Sequence, residues 1–503
     1  MSDLALLALR NRRAMPFSSV PSLSVPEFRE AVTQTVRAGR RIVSLFGMPD
    51  DGANTRLVAV LAHDEAGALE AASTVVGEWY PALSPDCPAA ARFEREIAEQ
   101  CGVVPEGHTD LKPLRRHPPD HAPASRARRP HERDAYVFDR IQGNEIHEVA
   151  VGPIHAGIIE PGHFRFQAHG ERVLGLEIML GYQHRGVERL LETAGAARAV
   201  LVAESIAGDT VIGHADAYCG ALEALSRCRK TPRAQAIRGV ALELERLANH
   251  IGDLGAMAGD VAYQPAASYF GRMRGECLNL LMTLSGNRYG RGLLRPGGVT
   301  FDLAPAMADE MRSRLTRLSE ELMPVGQLML ENASVQARLE GVGVVKREEC
   351  RRIGLVGPVA RACEVPRDVR HDHPWGIFRF AHIPVATAWA GDALARALVR
   401  WLEIQRSLEF VVEQLGALPR GAPRVDLGAL RPNEIAVAMV EAWRGEIAHV
   451  VITDEAGGIR RHKVTDPSFH NWAALSLAMP GQQISDFPLC NKSFNLSYAG
   501  HDL

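Results

Sequence analysis

The sequence contains no Cys-x-x-Cys pair anywhere in its 503 residues. Its eight cysteines (Cys87, Cys101, Cys219, Cys228, Cys277, Cys350, Cys363 and Cys490) are scattered, the closest two standing nine residues apart. That spacing excludes a zinc ribbon or an iron–sulfur cluster held within the chain, and it points to free thiols in a reducing compartment. No uncharged apolar stretch reaches the roughly 18 residues needed to span a bilayer. Met1 to Pro16 has a short apolar run followed by Arg10, Arg12 and Arg13, the wrong order for a secretory signal. A formal charge of −3 gives no global attraction to nucleic acid or to an anionic membrane. No internal repeat is visible.

What is present is an ordinary globular balance, 46% hydrophobic and 23% charged, in a chain long enough for two or three domains. Between Lys112 and Arg133 five prolines and seven Lys or Arg prevent a regular element, because each proline removes a donor and restrains its neighbour. This segment predicts a linker over 112–135, separating a unit at 1–111 from a larger one at 136–503. In the smaller unit the pattern predicts a helix over Pro26 to Phe46, a strand over Arg56 to His63, a second helix over Gly67 to Val76, an amphipathic helix over Ala89 to Cys101 and a turn from Gly107 to Leu111.

The larger unit begins with strand-like segments and becomes mostly helical. Thr231-Pro232 combines an N-cap hydroxyl with proline at the first helical position. From there Ile237, Ala241, Leu244, Leu247, Ile251 and Leu254 form a stripe for burial, with Arg238, Glu245 and Arg246 facing elsewhere. Further helices are expected over Gly186 to Ala203, His214 to Cys228, Ala266 to Ser285, Pro305 to Leu330 and Thr387 to Leu415, with Gly286 and Gly416 as C-caps. Ile435 to Val440, Ala448 to Thr453 and Arg460 to Val464 read as strands. The fold class is therefore α+β: a small N-terminal α/β domain, then a large domain with a long-helix antiparallel bundle flanked by short β-sheets.

Two phrases stand out, Gly-Pro-Ile-His-Ala-Gly-Ile-Ile-Glu-Pro-Gly-His-Phe-Arg-Phe (Gly152 to Phe166) and Gly-Tyr-Gln-His-Arg-Gly-Val-Glu-Arg (Gly181 to Arg189). Their glycines allow positive φ and close approach, so they read as shaped loops. With Arg-Gly-Glu at Arg444 to Glu446 they follow in one order over some 300 residues. This arrangement resembles the large subunit of group 4 nickel-iron hydrogenases, of the formate hydrogenlyase and hydrogenase-4 type, and the homologous 49 kDa subunit of respiratory complex I. Phe93 to Ile97 and Gly107 to Leu111 resemble the end of their 30 kDa partner, fused here.

The resemblance implies that two Cys-x-x-Cys pairs, the soft ligands of nickel and iron, would fall at Ala207 and Thr210 and at Ser497 and Gly500. None of these carries sulfur, so no nickel-iron centre and no other metal is expected. The remaining pattern is that of complex I, which implies an oxidoreductase subunit with a quinone as acceptor, His163 and Tyr218 contacting the quinone oxygens and Asp260 behind the histidine. Such an imidazole and phenol would donate protons as charge develops. His155 is the alternative to His163, and Ser205 stands where the family places an arginine. Arg185, Glu188, Arg444 and Glu446 are expected in buried ion pairs, and Arg367 to Pro374, despite His371, Asp372 and His373, is expected to be a structural turn. The implied partners are ferredoxin-like and small 4Fe-4S subunits and antiporter-like membrane subunits, with no nucleic acid. The implied location is peripheral, at the cytoplasmic face of the cell membrane, with proton translocation as a coupled process. A catalytically silent scaffold joining a cluster subunit to an ion-translocating arm is the other class of function open to the sequence, and an active hydrogenase the third.

Overall fold

The computed structural model describes residues 6–116, 119–122, 136–157 and 159–503. Ser24 opens helix α1 (Val25–Arg37) through a capping box in which its amide and hydroxyl both donate to Glu27. The helix does not run on to Phe46. It ends before Gly39, whose φ is 94°, and Arg41 begins strand β1 (Arg41–Pro49), of whose nine residues the eight from Arg41 to Met48 are buried. Strand β2 (Thr55–His63) follows as expected. The next segment, expected as a helix, is strand β3 (Ala68–Val76). Its Ala- and Glu-rich start favours a helix locally, but β3 sits between β2 and the short strand Leu7–Leu9, and the pairing of both its edges decides the conformation. Helix α2 (Ala91–Cys101) packs across β1.

The residues expected as a linker are docked where they are described. Leu114 and Arg115 are buried, Arg115 bonds Glu96 and donates through Nε to the His501 carbonyl at 2.7 Å, and Lys112 bridges Glu177 at 2.5 Å and Asp139 at 2.9 Å. Most of the predicted linker, residues 117–118 and 123–135, lies outside the described residues.

The larger unit opens with a three-stranded antiparallel sheet, β4 (Ile146–Val151), β5 (His163–His169) and β6 (Arg172–Met179), with β5 central. The helix expected over 186–203 is two, α3 (Val187–Thr193) and α4 (Ala196–Ala203), separated at Ala194 and Gly195. Helix α5 (Val211–Leu225) is buried at every position. The Thr231 hydroxyl caps α6 (Pro232–Asp260) by accepting from the Ala234 amide. The predicted stripe on α6 is buried, but so are Arg238, Glu245 and Arg246, because α6 is enclosed on all sides. It packs with α7 (Gln264–Ser285), α8 (Pro305–Leu330) and α9 (Ala393–Gly416) in one bundle. Helix α9 starts later than predicted, at the Asp392 N-cap, and it includes Gly416, so Ala417 caps it. The final sheet runs β7 (Glu434–Ala442), β8 (Gly445–Thr453), β9 (Ile459–Thr465), with Met15–Pro16 added to the edge of β7, and helix α10 (Pro467–Ala478) follows.

The two units share one interior. Leu9, Val43, Phe46 and Val58 join the same hydrophobic cluster as α6 and β8 residues, whereas Phe28, Leu45 and Leu57 form a second cluster with Phe93 and Phe469. The eight cysteines form no disulfide with one another, and all but Cys228 are buried.

Charge crosses the junction with the apolar core. Glu188, on α3, accepts from Lys463 Nζ at 2.9 Å, Arg461 Nη2 at 2.8 Å and the Val464 amide at 3.0 Å. Lys463 also donates to Glu96 of the N-terminal unit at 2.6 Å. Burial alone would raise the Glu188 carboxyl, but Arg461 and Lys463 hold it well below the usual range. Removing the carboxylate leaves Lys463 with Glu96 alone and Arg461 with Glu192 alone, each a buried cation short of one partner, so Glu188→Ala is expected to cost about 3–5 kcal/mol, read from the denaturant midpoint of the purified chain. A loss under about 1 kcal/mol, the size of an exposed pair, would contradict this assignment.

Candidate functional site

Helix α4 delivers a loop carrying Ala207 to Thr210, and the terminal helical turn Tyr498–Asp502 delivers Ser497 to Gly500. Arg444, in the tight turn between β7 and β8, ties the two segments together. It donates to Asp209 Oδ1 at 2.5 Å and Oδ2 at 2.8 Å, to Thr210 Oγ1 at 3.1 Å and to the Asn495 carbonyl at 2.6 Å, and it lies 3.8 Å over the Trp443 ring. The two segments at which the resemblance would place thiolates are therefore held to one guanidinium, but their residues do not fit nickel and iron. The Thr210 hydroxyl is committed to Arg444 and to Trp443 Nε1 at 3.0 Å. Ser497 Oγ accepts from the Gly500 amide at 2.8 Å, and a β-carbon at Gly500 would lie 2.6 Å from the Asp466 carboxyl. Hard oxygen donors already engaged in hydrogen bonds do not substitute for four soft sulfurs.

The two glycine-rich phrases frame these segments. Gly152 has φ 80°, and a β-carbon there would meet the Gly162 carbonyl oxygen at 2.1 Å, so only glycine permits the loop to close. Asp502 accepts from the amides of Gly181 and Gln183, both at 2.9 Å. Of the four residues expected in buried ion pairs, Glu188, Arg444 and Glu446 make them, the last with Arg41 at 2.6 Å. Arg185 differs: its guanidinium donates to the carbonyls of Ser205 at 2.6 Å, Ile206 at 2.9 Å and Ala499 at 2.8 Å. Among the described residues no carboxylate lies within ion-pair distance of it, so it binds loop carbonyls and places a guanidinium against Ser205.

A cavity of about 780 Å³ opens beside these loops, lined among others by Glu160, Gly208, Asp209, Tyr289, Arg291 and Ser497. Its two carboxyls are pushed apart. Burial raises Glu160 above the ordinary carboxylate range, with Asp209 adding to the effect against Arg444. Burial would also raise Asp209, but its bidentate Arg444 partner holds it below that range. A carboxyl raised above its ordinary range beside one held below it is the arrangement of a proton donor next to a fixed charge.

Behind the cavity runs a buried chain of imidazoles. Asp466 Oδ2 lies 3.0 Å from His214 Nε2, His214 Nδ1 3.3 Å from His449 Nε2, and His449 Nδ1 3.0 Å from His462 Nε2. Burial pushes His462 down to about 4 and His449 well below its ordinary value, so those two rings are neutral at pH 7, each with one donor and one acceptor. The chain begins at Asp466, next to Gly500, and ends inside the protein at His462, whose Nδ1 has no partner among the described residues.

The residues implied by the resemblance are placed apart from one another. His163 begins β5 and is 8% exposed; its Nδ1 meets the Gly152 carbonyl at 3.2 Å and its Nε2 is buried without a partner among the described residues. Tyr218 lies in the middle of α5, 1% exposed, its ring stacked on His462 at 5.8 Å. Asp260 is the exposed last residue of α6. None of the three lines the cavity at Ser497. His155 bonds the Gly162 carbonyl through Nε2 at 2.9 Å. In the Arg367 to Pro374 segment, His373 Nε2 meets Asp64 at 3.0 Å and His371 Nδ1 meets Asp372 at 2.9 Å. Among the described residues no three metal-ligating side chains converge. Glu160 and Asp209 stand inside the segments singled out from sequence, yet neither was assigned a role; Tyr289, His449, His462 and Asp466 have no spacing that marks them.

Glu245 of α6 holds the start of α5, accepting from the amides of Ile212 at 2.7 Å and Gly213 at 3.1 Å. Burial pushes its carboxyl up to about 8, against an ordinary 4.5. The folded state thus binds a proton that the unfolded state releases, and stability falls as pH rises from 4.5 to 8. Glu245→Gln is expected to flatten that slope in denaturant titrations across this window. An unchanged slope would assign the dependence to other groups.

Residues 260–429 and 424–502 match the model of the respiratory-chain NADH dehydrogenase 49 Kd subunit family. Formate hydrogenlyase subunit 5 of Escherichia coli K12 is 29% identical over 442 residues, covering 84% of this chain and 77% of that protein. That share exceeds what residues 136–503 alone supply, so the likeness runs into the N-terminal unit. The carbon monoxide-induced hydrogenase of Rhodospirillum rubrum is 31% identical over 351 residues, 69% of this chain and 96% of that protein. An NADH-quinone oxidoreductase subunit of Solibacter usitatus is 29% identical over 338 residues, 67% of this chain and 91% of that protein. The chain belongs to the family of oxidoreductase subunits that comprises the 49 kDa subunit of respiratory-chain NADH dehydrogenase and the large subunits of the related hydrogenases.

Proposed function

We propose that this chain is the acceptor-reducing subunit of a membrane-associated, complex I-like or hydrogenase-4-like oxidoreductase, and that it passes electrons from a 4Fe-4S cluster in a neighbouring small subunit to a quinone. On this reading residues 1–111 are a fused 30 kDa-like domain, the chain is peripheral at the cytoplasmic face of the membrane, and antiporter-like membrane subunits use the reaction to move protons. No helix among the described residues is long and apolar enough to cross a membrane, so attachment falls to those partners.

The observation that carries the reading is the cavity at Ser497, lined by Glu160, whose carboxyl burial raises, and by Asp209, which Arg444 holds in an ion pair. Reduction of a quinone takes two electrons and two protons and yields the quinol, with no bond between heavy atoms made or broken. Glu160 supplies the first proton at the acceptor oxygen. Arg291, also in the lining, stabilises negative charge as it develops there. The second proton, and the one that restores Glu160, enter from solvent at the open side of the cavity.

In the purified complex, Glu160→Gln is expected to lower quinone-reductase turnover by about 10²-fold with cluster reduction by the donor intact. The proposed roles of His163 and Tyr218, assigned by family resemblance, are separated in the same assay by His163→Ala and Tyr218→Phe. Full turnover in all three variants would remove these residues from the reaction. No turnover in the unmodified complex, with clusters that still reduce, would leave the scaffold reading, which the closed Gly500–Asp466 and Thr210–Arg444 contacts favour.

Elemental analysis of the same complex is expected to find no nickel. Stoichiometric nickel would overturn the reading in favour of a hydrogenase.

A further inference from the structure

We propose that the concavity between the Arg10–Arg13 turn and the Pro374–Gly376 loop binds a phosphate-bearing anion that also carries a hydroxyl. The cavity is about 550 Å³ and shares no lining residue with the one at Ser497. Three of its walls are cationic. Arg10, Arg12 and Arg13 come from one tight turn, closed by the Arg13 amide donating to the Arg10 carbonyl at 3.1 Å and pinned to β7 by the Arg12 amide on the Val437 carbonyl at 2.8 Å. The Asn11 side chain fixes the turn to the opposite wall through the His373 carbonyl at 2.8 Å. Lys230 and Arg379 complete the lining.

Two of these five cations are neutralised within the fold: Arg12 by Asp216 at 2.6 Å and Lys230 by Glu223. Arg10, Arg13 and Arg379 have no carboxylate within ion-pair distance among the described residues, and all three are exposed. The acidic residue in the lining is Asp372, which is occupied by His371 Nδ1 at 2.9 Å and by the Asp368 amide at 3.0 Å. Three like charges around one concavity repel one another and add nothing to folding, whereas a dianion placed among them satisfies all three. Guanidinium groups match phosphate oxygens in paired, charge-assisted hydrogen bonds.

A buried atom points to the same occupant. His373 lines the cavity with its side chain fully buried; Nε2 meets Asp64 at 3.0 Å, and Nδ1 has no partner among the described residues. In the tautomer that donates Nε2–H to that carboxylate, Nδ1 is an acceptor. A bare anion leaves it unsatisfied, and a hydroxyl beside the phosphate fills it. Glycerol 3-phosphate has this chemistry as a free molecule, and the headgroup of phosphatidylglycerol has it at a membrane surface.

The full chain is titrated calorimetrically with glycerol 3-phosphate and with pyrophosphate, and sedimented with vesicles of phosphatidylglycerol in phosphatidylcholine against phosphatidylcholine alone. Saturable one-site binding of glycerol 3-phosphate, weakened at least about tenfold in the Arg13→Ala/Arg379→Ala variant, is the expected result and identifies a soluble ligand. Binding confined to the anionic vesicles and lost in the same variant supports the site with a lipid headgroup as its source. Tighter binding of pyrophosphate than of glycerol 3-phosphate overturns the hydroxyl requirement. Absence of binding in both arms, or binding that the double variant leaves unchanged, overturns the site. Both substituted residues are exposed, and an unchanged thermal midpoint of the variant confirms that folding is intact.

Discussion

Everything in this molecule is arranged around buried carboxylates that each gather several cations from distant parts of the chain. Glu188 draws Arg461 and Lys463 out of β9 and, through Lys463, reaches Glu96 in the N-terminal unit. Glu403 plays the same part in the bundle, taking Arg361 at 2.6 Å, His250 at 2.9 Å and Arg246 at 3.2 Å. Groups this deep are costly to desolvate, and they are tolerated only where every donor and acceptor is met in good geometry. The consequence is register: β9, α3 and α2 have one relative position in which all these bonds form together, and apolar packing alone would allow several.

That constraint extends to the loops where function resides. Arg444 fixes the segment after α4 to the segment before the terminal turn, and Asp502 fixes the terminal turn to the Gly181 loop. In a nickel-iron relative the same two segments would be held by a metal between thiolates, as the family resemblance implies. Here the Arg444 guanidinium spans them. What surrounds them is protonatable oxygen and nitrogen, Glu160 in the cavity lining and the imidazole chain from Asp466 to His462.

Much of this was legible in the residues. The long helices, the N-cap at Thr231, the three C-terminal strands and the absence of ligands at 207, 210, 497 and 500 depend on local spacing and identity, and the structure places those elements where periodicity puts them. The failures have a common cause. The segments 41–46 and 67–76 look helical in isolation, yet each is a strand because neighbouring strands satisfy its backbone. The segment after Leu111 looks like a tether, yet Arg115 is buried because Glu96 and the His501 carbonyl wait for it.

By itself, then, the sequence determined the class of the fold, the family and the absence of sulfur at positions 207, 210, 497 and 500, since these rest on short-range pattern and on which atoms a side chain carries. Tertiary structure alone decided which groups face one another. His214, His449, His462 and Asp466 share no motif, and Arg10, Arg13, Arg379 and His373 lie some 360 residues apart in two groups. Hydrogen bonds and charge act over a few ångströms of space whatever the separation along the chain, so only folding brings such sets together.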